Sequence, residues 1–199
     1  RPLLEGGQMM VHISAGNTKI GKVSNISLPP MVTCRKPAPC VKQCYAKKAF
    51  RLYPSVRRNW QENWDLYQQN PDRYFNEIRE WLRLYLPTHF RWHVSGDVPD
   101  RDYFWEMYDI AEEFPEIRFM LFTKRWDFLP DRFIPDNLSI ILSMWPGRGK
   151  PRKLKLPRAW LSHDDRKPKY YFKCPGKCDR CYKCWELVRI GYDVVFDLH

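Results

Sequence analysis

The chain has 199 residues, a formal net charge of +11, and Phe, Trp or Tyr at 16% of positions. That length suffices for one sizeable core, and the longest apolar stretches are too short to cross a bilayer, which excludes a membrane-spanning protein. The excess of lysine and arginine, concentrated in Lys47–Arg58 and Arg148–Arg158, leaves two explanations open. It either compensates an anionic prosthetic group or meets a polyanionic partner such as nucleic acid.

In chain order, Met9–Ser14 is a short apolar run suited to a strand. Ala15–Lys22, with Gly16, Asn17 and Gly21, reads as a turn or ligand loop. Leu28-Pro29-Pro30 ends any strand that follows. Pro54 suits a first helical turn, and Trp60, Trp64 and Tyr67 then recur at helical spacing. Asn70-Pro71-Asp72 breaks that helix. A second runs over Tyr74–Leu86, with Phe75, Ile78, Trp81, Leu82 and Tyr85 on one face. Phe90–Val94 is a predicted strand, Asp102–Phe114 an amphipathic helix, and Ile117–Phe122 and Leu138–Leu142 further strands. Residues 146–158 read as a loop. Ala159–Leu161, Tyr170–Phe172 and Val194–Leu198 are weaker strand candidates.

Strands alternating with helices predict an α/β fold with a parallel sheet, open or closed. In such folds functional groups gather where strands end. Three predicted strands in succession end in polar, small or charged residues: Ser95-Gly96-Asp97, Thr123-Lys124-Arg125 and Ser143-Met144-Trp145-Pro146-Gly147. Together with a cysteine loop after an earlier strand, they predict one shared cleft.

All seven cysteines fall into two groups. Cys34, Cys40 and Cys44 have C-x5-C-x3-C spacing. Cys174, Cys178, Cys181 and Cys184 have C-x3-C-x2-C-x2-C spacing. Disulfides are disfavoured by the odd total, by the chain's length and by the lack of a secretory h-region. Zinc stays open for both groups, with His93 or His12 completing the first. Against zinc, the Cys178, Cys181 and Cys184 spacing is that of ferredoxin loops that wrap a cubane. Four thiolates can close a four-iron cluster, whereas three leave one iron open to a ligand. The leading expectation is therefore two [4Fe-4S] clusters, one open and one closed.

Asn17-Thr-Lys-Ile-Gly21, Leu28-Pro-Pro30, Thr33-Cys34, Cys40, Cys44-Tyr45-Ala46, Arg91-Trp-His-Val-Ser-Gly-Asp97, Phe122-Thr-Lys124, Trp145-Pro-Gly147 and the terminal run of Cys174, Cys178, Cys181 and Cys184 resemble a family of small phage-encoded proteins. That family is named after mycobacteriophage gene product eighty-eight. More distantly, cysteines followed by Cys-Tyr-Ala, a Ser-Gly-Asp strand end and Thr-Lys-Arg resemble phage proteins related to radical S-adenosylmethionine (SAM) enzymes. Those enzymes carry C-x3-C-x2-C with an aromatic residue before the last cysteine, whereas here Tyr45 follows it. The resemblance implies a partial (βα) barrel over residues 1–165, with a C-terminal four-cysteine segment over 166–199 packed on it. It implies SAM chelating the open iron, one-electron cleavage to a 5′-deoxyadenosyl radical, and an external electron donor. Ser95, Gly96, Asp97 and Lys124 would contact the SAM, with Gly96 admitting the ligand to the backbone. The expected location is the cytoplasm of the phage's host. A non-enzymatic iron–sulfur or zinc phage factor that binds nucleic acid or a host protein is the alternative.

Overall fold

A computed structural model describes residues 10–18, 20–34, 40–129, 131–146, 149 and 154–197. Eight strands form one sheet: β1 (Ile13–Ser14), β2 (Ser24–Ile26), β3 (His89–Trp92), β4 (Arg118–Thr123), β5 (Leu138–Ser143), β6 (Arg158–Leu161), β7 (Phe172–Lys173) and β8 (Val194–Phe196). Their order is β1-β2-β3-β4-β5-β6-β8-β7. Only β1 is antiparallel to its neighbour. The strands from β2 to β6 are laid down in sequence order. The sheet stays open, with β1 and β7 at its edges, so the architecture is α/β and partially barrel-like.

Between β2 and β3 lie α1 (Tyr45–Leu52), α2 (Pro54–Gln69) and α3 (Pro71–Tyr85). Prolines open α2 and α3, where a missing N–H costs nothing. Asn70 ends one helix and caps the next, its side chain accepting from Arg73 N–H at 3.0 Å. Asp100 caps α4 (Arg101–Glu113) by accepting from Tyr103 N–H. A fifth helix, α5 (Leu187–Ile190), precedes β8. Among the described residues, β4 is joined to β5 through a 3-10 turn over Trp126–Phe128 and no helix lies between β5 and β6, where residues 146–158 read as a loop.

The two faces of the sheet differ. Phe90, Trp92, Phe119, Leu121, Leu138, Ile140 and Leu142 point to one side and pack with Tyr74, Phe75, Ile78, Tyr103, Phe104 and Met107 of α3 and α4. Each such fully buried Phe, Leu or Ile contributes roughly 1.5–3 kcal/mol. The pleat sends Arg91, Met120, Phe122, Ser139, Ile141 and Ser143 to the other side. There the segment between β7 and β8 lies against the beginnings of the strands. Trp185 Nε1 donates to the Phe90 carbonyl at 3.1 Å, and Ser139 Oγ donates to the Cys184 carbonyl at 2.7 Å. Leu187 joins Met120, Ile141 and Val194 in this second core. The inner face is thus plugged at the strand beginnings and left open at their carboxyl ends.

Candidate metal and ligand site

The carboxyl ends of the strands surround a cavity of about 240 Å3. Cys34, Cys40 and Cys44 line it from the loop between β2 and α1, and Cys174, Cys178 and Cys184 line it from the C-terminal segment. The structure therefore brings both cysteine groups to one space, although they lie at opposite ends of the chain. Ser95, Gly96 and Asp97, Lys124, and Ser143, Met144 and Trp145 complete the wall. These are residues from the three predicted strand ends, so the shared cleft is real. Cys181 lies nearby in the same run and is not among the lining residues.

The sulfurs border a space rather than converge on a point. Among the described residues, no three His, Cys, Asp or Glu side chains sit closely enough to hold a single metal ion. A tetrahedral zinc would require its sulfurs to close in around one ion. Burial pushes the Cys34 thiol up to about 11, against the Met31 N–H that points at its sulfur. Burial also raises Cys178, and Arg91 opposes this with its Nη1 donating to the sulfur at 3.7 Å. Burial raises Cys184 as well. In all three thiols a proton must leave before a metal binds.

Tyr45 stands between the two groups. Its hydroxyl donates to the Val94 carbonyl, and its neighbours in charge include Cys40, Cys44 and Cys178. Its position after the last cysteine thus makes it part of the cavity wall.

Two residues expected to contact a ligand hold the site together. Asp97 accepts from Val98 N–H at 2.9 Å, from the Thr123 hydroxyl at 2.6 Å and from Lys124 N–H at 2.9 Å. It ties the end of β3 to the end of β4. Burial raises its pKa, against Lys124 and these hydrogen bonds. Gly96 has φ +79, and a Cβ there would meet Thr33 Oγ1 at 2.6 Å and Leu28 Cβ at 2.9 Å. Its missing side chain makes room for the cysteine-bearing loop. Thr33 Oγ1 also accepts from Asp97 N–H.

His93 and Ser95 behave differently. His93 is 3% exposed, adopts φ 54 and lines the cavity, and neither ring nitrogen has a hydrogen-bond partner. Burial lowers its pKa to about 3, so the ring is neutral at ordinary pH. Ser95 Oγ is likewise buried without a partner. His12, the other histidine considered for metal, instead pairs with Glu62 of α2 and does not line the cavity.

The early glycine loop serves the second cysteine group. Gly21 lies where any Cβ would strike the Asp179 carboxylate, which accepts from Lys22 N–H at 2.9 Å. Lys177 Nζ donates to the Thr18 carbonyl. Sequence patterns did not single out this clasp, nor Arg91 as the cation on the Cys178 sulfur. Residues 147, 148 and 150–153 of the predicted loop over 146–158, and the residues between Cys34 and Cys40, lie outside the described residues.

No described helix is long and apolar enough to cross a membrane. No curated protein and no solved structure matches the chain. A family described as Gene product 88 matches residues 11–159, a span that takes in Cys34, Cys40, Cys44, Ser95–Asp97 and Lys124 and stops short of the second cysteine group. The chain belongs to the Gene product 88 family.

Proposed function

We propose that the protein is an iron–sulfur protein. Cys34, Cys40 and Cys44 would hold one four-iron cluster, and Cys174, Cys178, Cys181 and Cys184 a second. The open first cluster would serve radical SAM-like chemistry on a substrate in the cavity. One observation carries the reading: six of the seven cysteines line a single cavity at the carboxyl ends of parallel strands. The donor set suits the group, since six of the seven cysteines line the cavity wall and are soft sulfur ligands. When bound, such a cluster supplies single electrons, here to a sulfonium ligand on the open iron.

The chain's own residues would bind, orient and exclude water. Lys124 lies close enough to Cys34 and Asp97 to act on both, and there it would meet a ligand carboxylate. Ser95 Oγ and the neutral His93 ring are buried polar groups without partners, so each would gain a hydrogen bond from a ligand in the cavity. Asp97 and Gly96 would fix the spacing of the strand ends. Tyr45 would keep water from between the two cysteine groups. An external electron donor and a reducing compartment, the host cytoplasm, belong to this reading.

A second reading has support of its own. Cys184 is 9% exposed and packs into the inner core, which suits a structural metal in a non-enzymatic iron–sulfur or zinc factor. Calorimetric titration of SAM into anaerobically reconstituted protein separates the two, with electron paramagnetic resonance of the reduced protein before and after. The enzyme reading expects binding and a changed spectrum. No binding at millimolar SAM and an unchanged spectrum would leave the factor.

A further inference from the structure

Residues 6–61 contain ten lysines and arginines and no aspartate or glutamate. The rest of the chain is nearly balanced, 24 basic against 23 acidic residues, so this span supplies almost the whole net charge of +11. From residue 42 on, all six of its cations are described and exposed: Lys42, Lys47, Lys48, Arg51, Arg57 and Arg58. Elsewhere arginines sit in carboxylate networks, Arg79 with Glu106 and Glu113, and Arg132 with Asp109 and Glu112. Among the described residues no carboxylate forms an ion pair with any of these six cations.

Placement decides what such a patch serves. Cluster compensation needs cations beside the sulfurs, and Arg91 and Lys124 already stand there. The six exposed cations instead follow the cavity wall outward. Gln43, Cys44, Tyr45 and Ala46 line the cavity, and Lys47, Lys48 and Arg51 come next on α1. Arg57 and Arg58 border a shallow depression with Phe50 and Gln61. A lipid surface would need a broad apolar face, yet Ala46 is buried, Ala49 and Phe50 are partly buried, and Tyr45, Leu52 and Tyr53 are the large apolar side chains this segment exposes. A row of separate cations with the 57% exposed Tyr53 between Arg51 and Arg57 matches phosphates and an unstacked base.

We propose that this face binds single-stranded nucleic acid. Its phosphates lie along Lys47, Lys48, Arg51, Arg57 and Arg58, a base stacks on Tyr53, and the strand passes the mouth of the cavity. The proposal stands apart from the metal content.

The test is fluorescence anisotropy of a fluorescein-labelled mixed-sequence single strand, and of its duplex, on reconstituted protein across a salt series, with iron measured on the same samples. Wild type should bind the single strand more tightly than the duplex. The variant Lys47→Ala/Lys48→Ala/Arg51→Ala should bind on the order of ten-fold or more weakly, with a salt slope shallower by about two, at roughly 0.7 per lost phosphate contact. Arg57→Ala/Arg58→Ala is the second variant and should lose about two thirds as much slope. Tyr53→Ala should weaken single-strand binding about ten-fold. Removing the same charge elsewhere, by Lys169→Ala/Lys173→Ala/Arg189→Ala, should leave the slope near wild type. No binding by wild type, preference for the duplex, or equal losses in both triple variants would overturn the proposal. Loss of iron with binding retained would sink the metal reading and leave this one standing.

Discussion

The two cysteine groups face the same cavity and are held in opposite ways. Cys174–Cys184 is bound into the fold: Cys174 N–H donates to the Val195 carbonyl in the sheet, Cys184 is buried, and Trp185 bonds the β3 backbone. Cys34, Cys40 and Cys44 sit on a loop held mainly by local ties, the Met31 N–H at Cys34 Sγ, the Thr33 hydroxyl donating to the Pro29 carbonyl and Gln43 N–H donating to the Cys40 carbonyl, with Asp97 N–H donating to Thr33 Oγ1 from the end of β3. One group is part of the scaffold that closes the inner face. The other is presented to the ligand residues at the strand ends. Under the proposed function, the second group would serve stability and the first ligand chemistry.

Substitution at the plug should show the largest effect. Trp185→Ala removes a side chain only 3% exposed and its bond to Phe90. It should lower unfolding free energy by about 3–5 kcal/mol in chemical denaturation of metal-free protein. Cys34→Ala should leave that curve nearly unchanged. Similar losses in both would erase the contrast.

Gly96→Ala comes next. The backbone at φ +79 and the contact with Thr33 Oγ1 both oppose a Cβ. The expected cost is about 1–3 kcal/mol, with less iron on the first group and none lost from the second. Iron lost equally from both groups would show that the two share a fate.

The sequence told of the sheet better than of this contrast. Apolar runs such as Ile117–Phe122 and Leu138–Leu142 marked central strands to within a residue or two, because strands buried on both faces leave few polar positions. The Asn70-Pro71 break was legible from turn chemistry, and the residues at the strand ends from the order of elements. Helix α1 was not, since three of its eight residues are exposed cations and its apolar stripe is only Ala46, Ala49 and Phe50. The meeting of the two cysteine groups was also hidden. It depends on β8 inserting between β6 and β7, a pairing that no local pattern encodes. The ties of Asp97 were hidden too, since two of its three donors come from the end of the neighbouring strand.

His93 gives a pH test of the cavity wall. Its pKa falls from 6.5 to about 3 on burial, so the folded state binds fewer protons than the unfolded chain. Its contribution is therefore full above about pH 6.5 and is lost as pH falls toward about 3. In metal-free protein, His93→Asn, which tolerates a positive φ, should flatten the acid side of the stability curve by up to about 1.4 kcal/mol per pH unit over that window. An identical acid limb in wild type and variant would place His93 outside the buried wall.

A finer effect concerns coupling. Because both groups border one cavity, the reduced clusters should interact magnetically, giving a spectrum broader than the sum of the two single-group variants. A simple sum would mean that the groups do not share the space.

The most direct measurement is iron and acid-labile sulfide in anaerobically reconstituted wild type and in Cys34→Ala/Cys40→Ala/Cys44→Ala. Two clusters predict about eight of each per chain in wild type and about four of each in the variant, which should stay folded and keep the second group's cluster. Stoichiometric zinc without sulfide, or a variant that loses all its iron, would contradict the account.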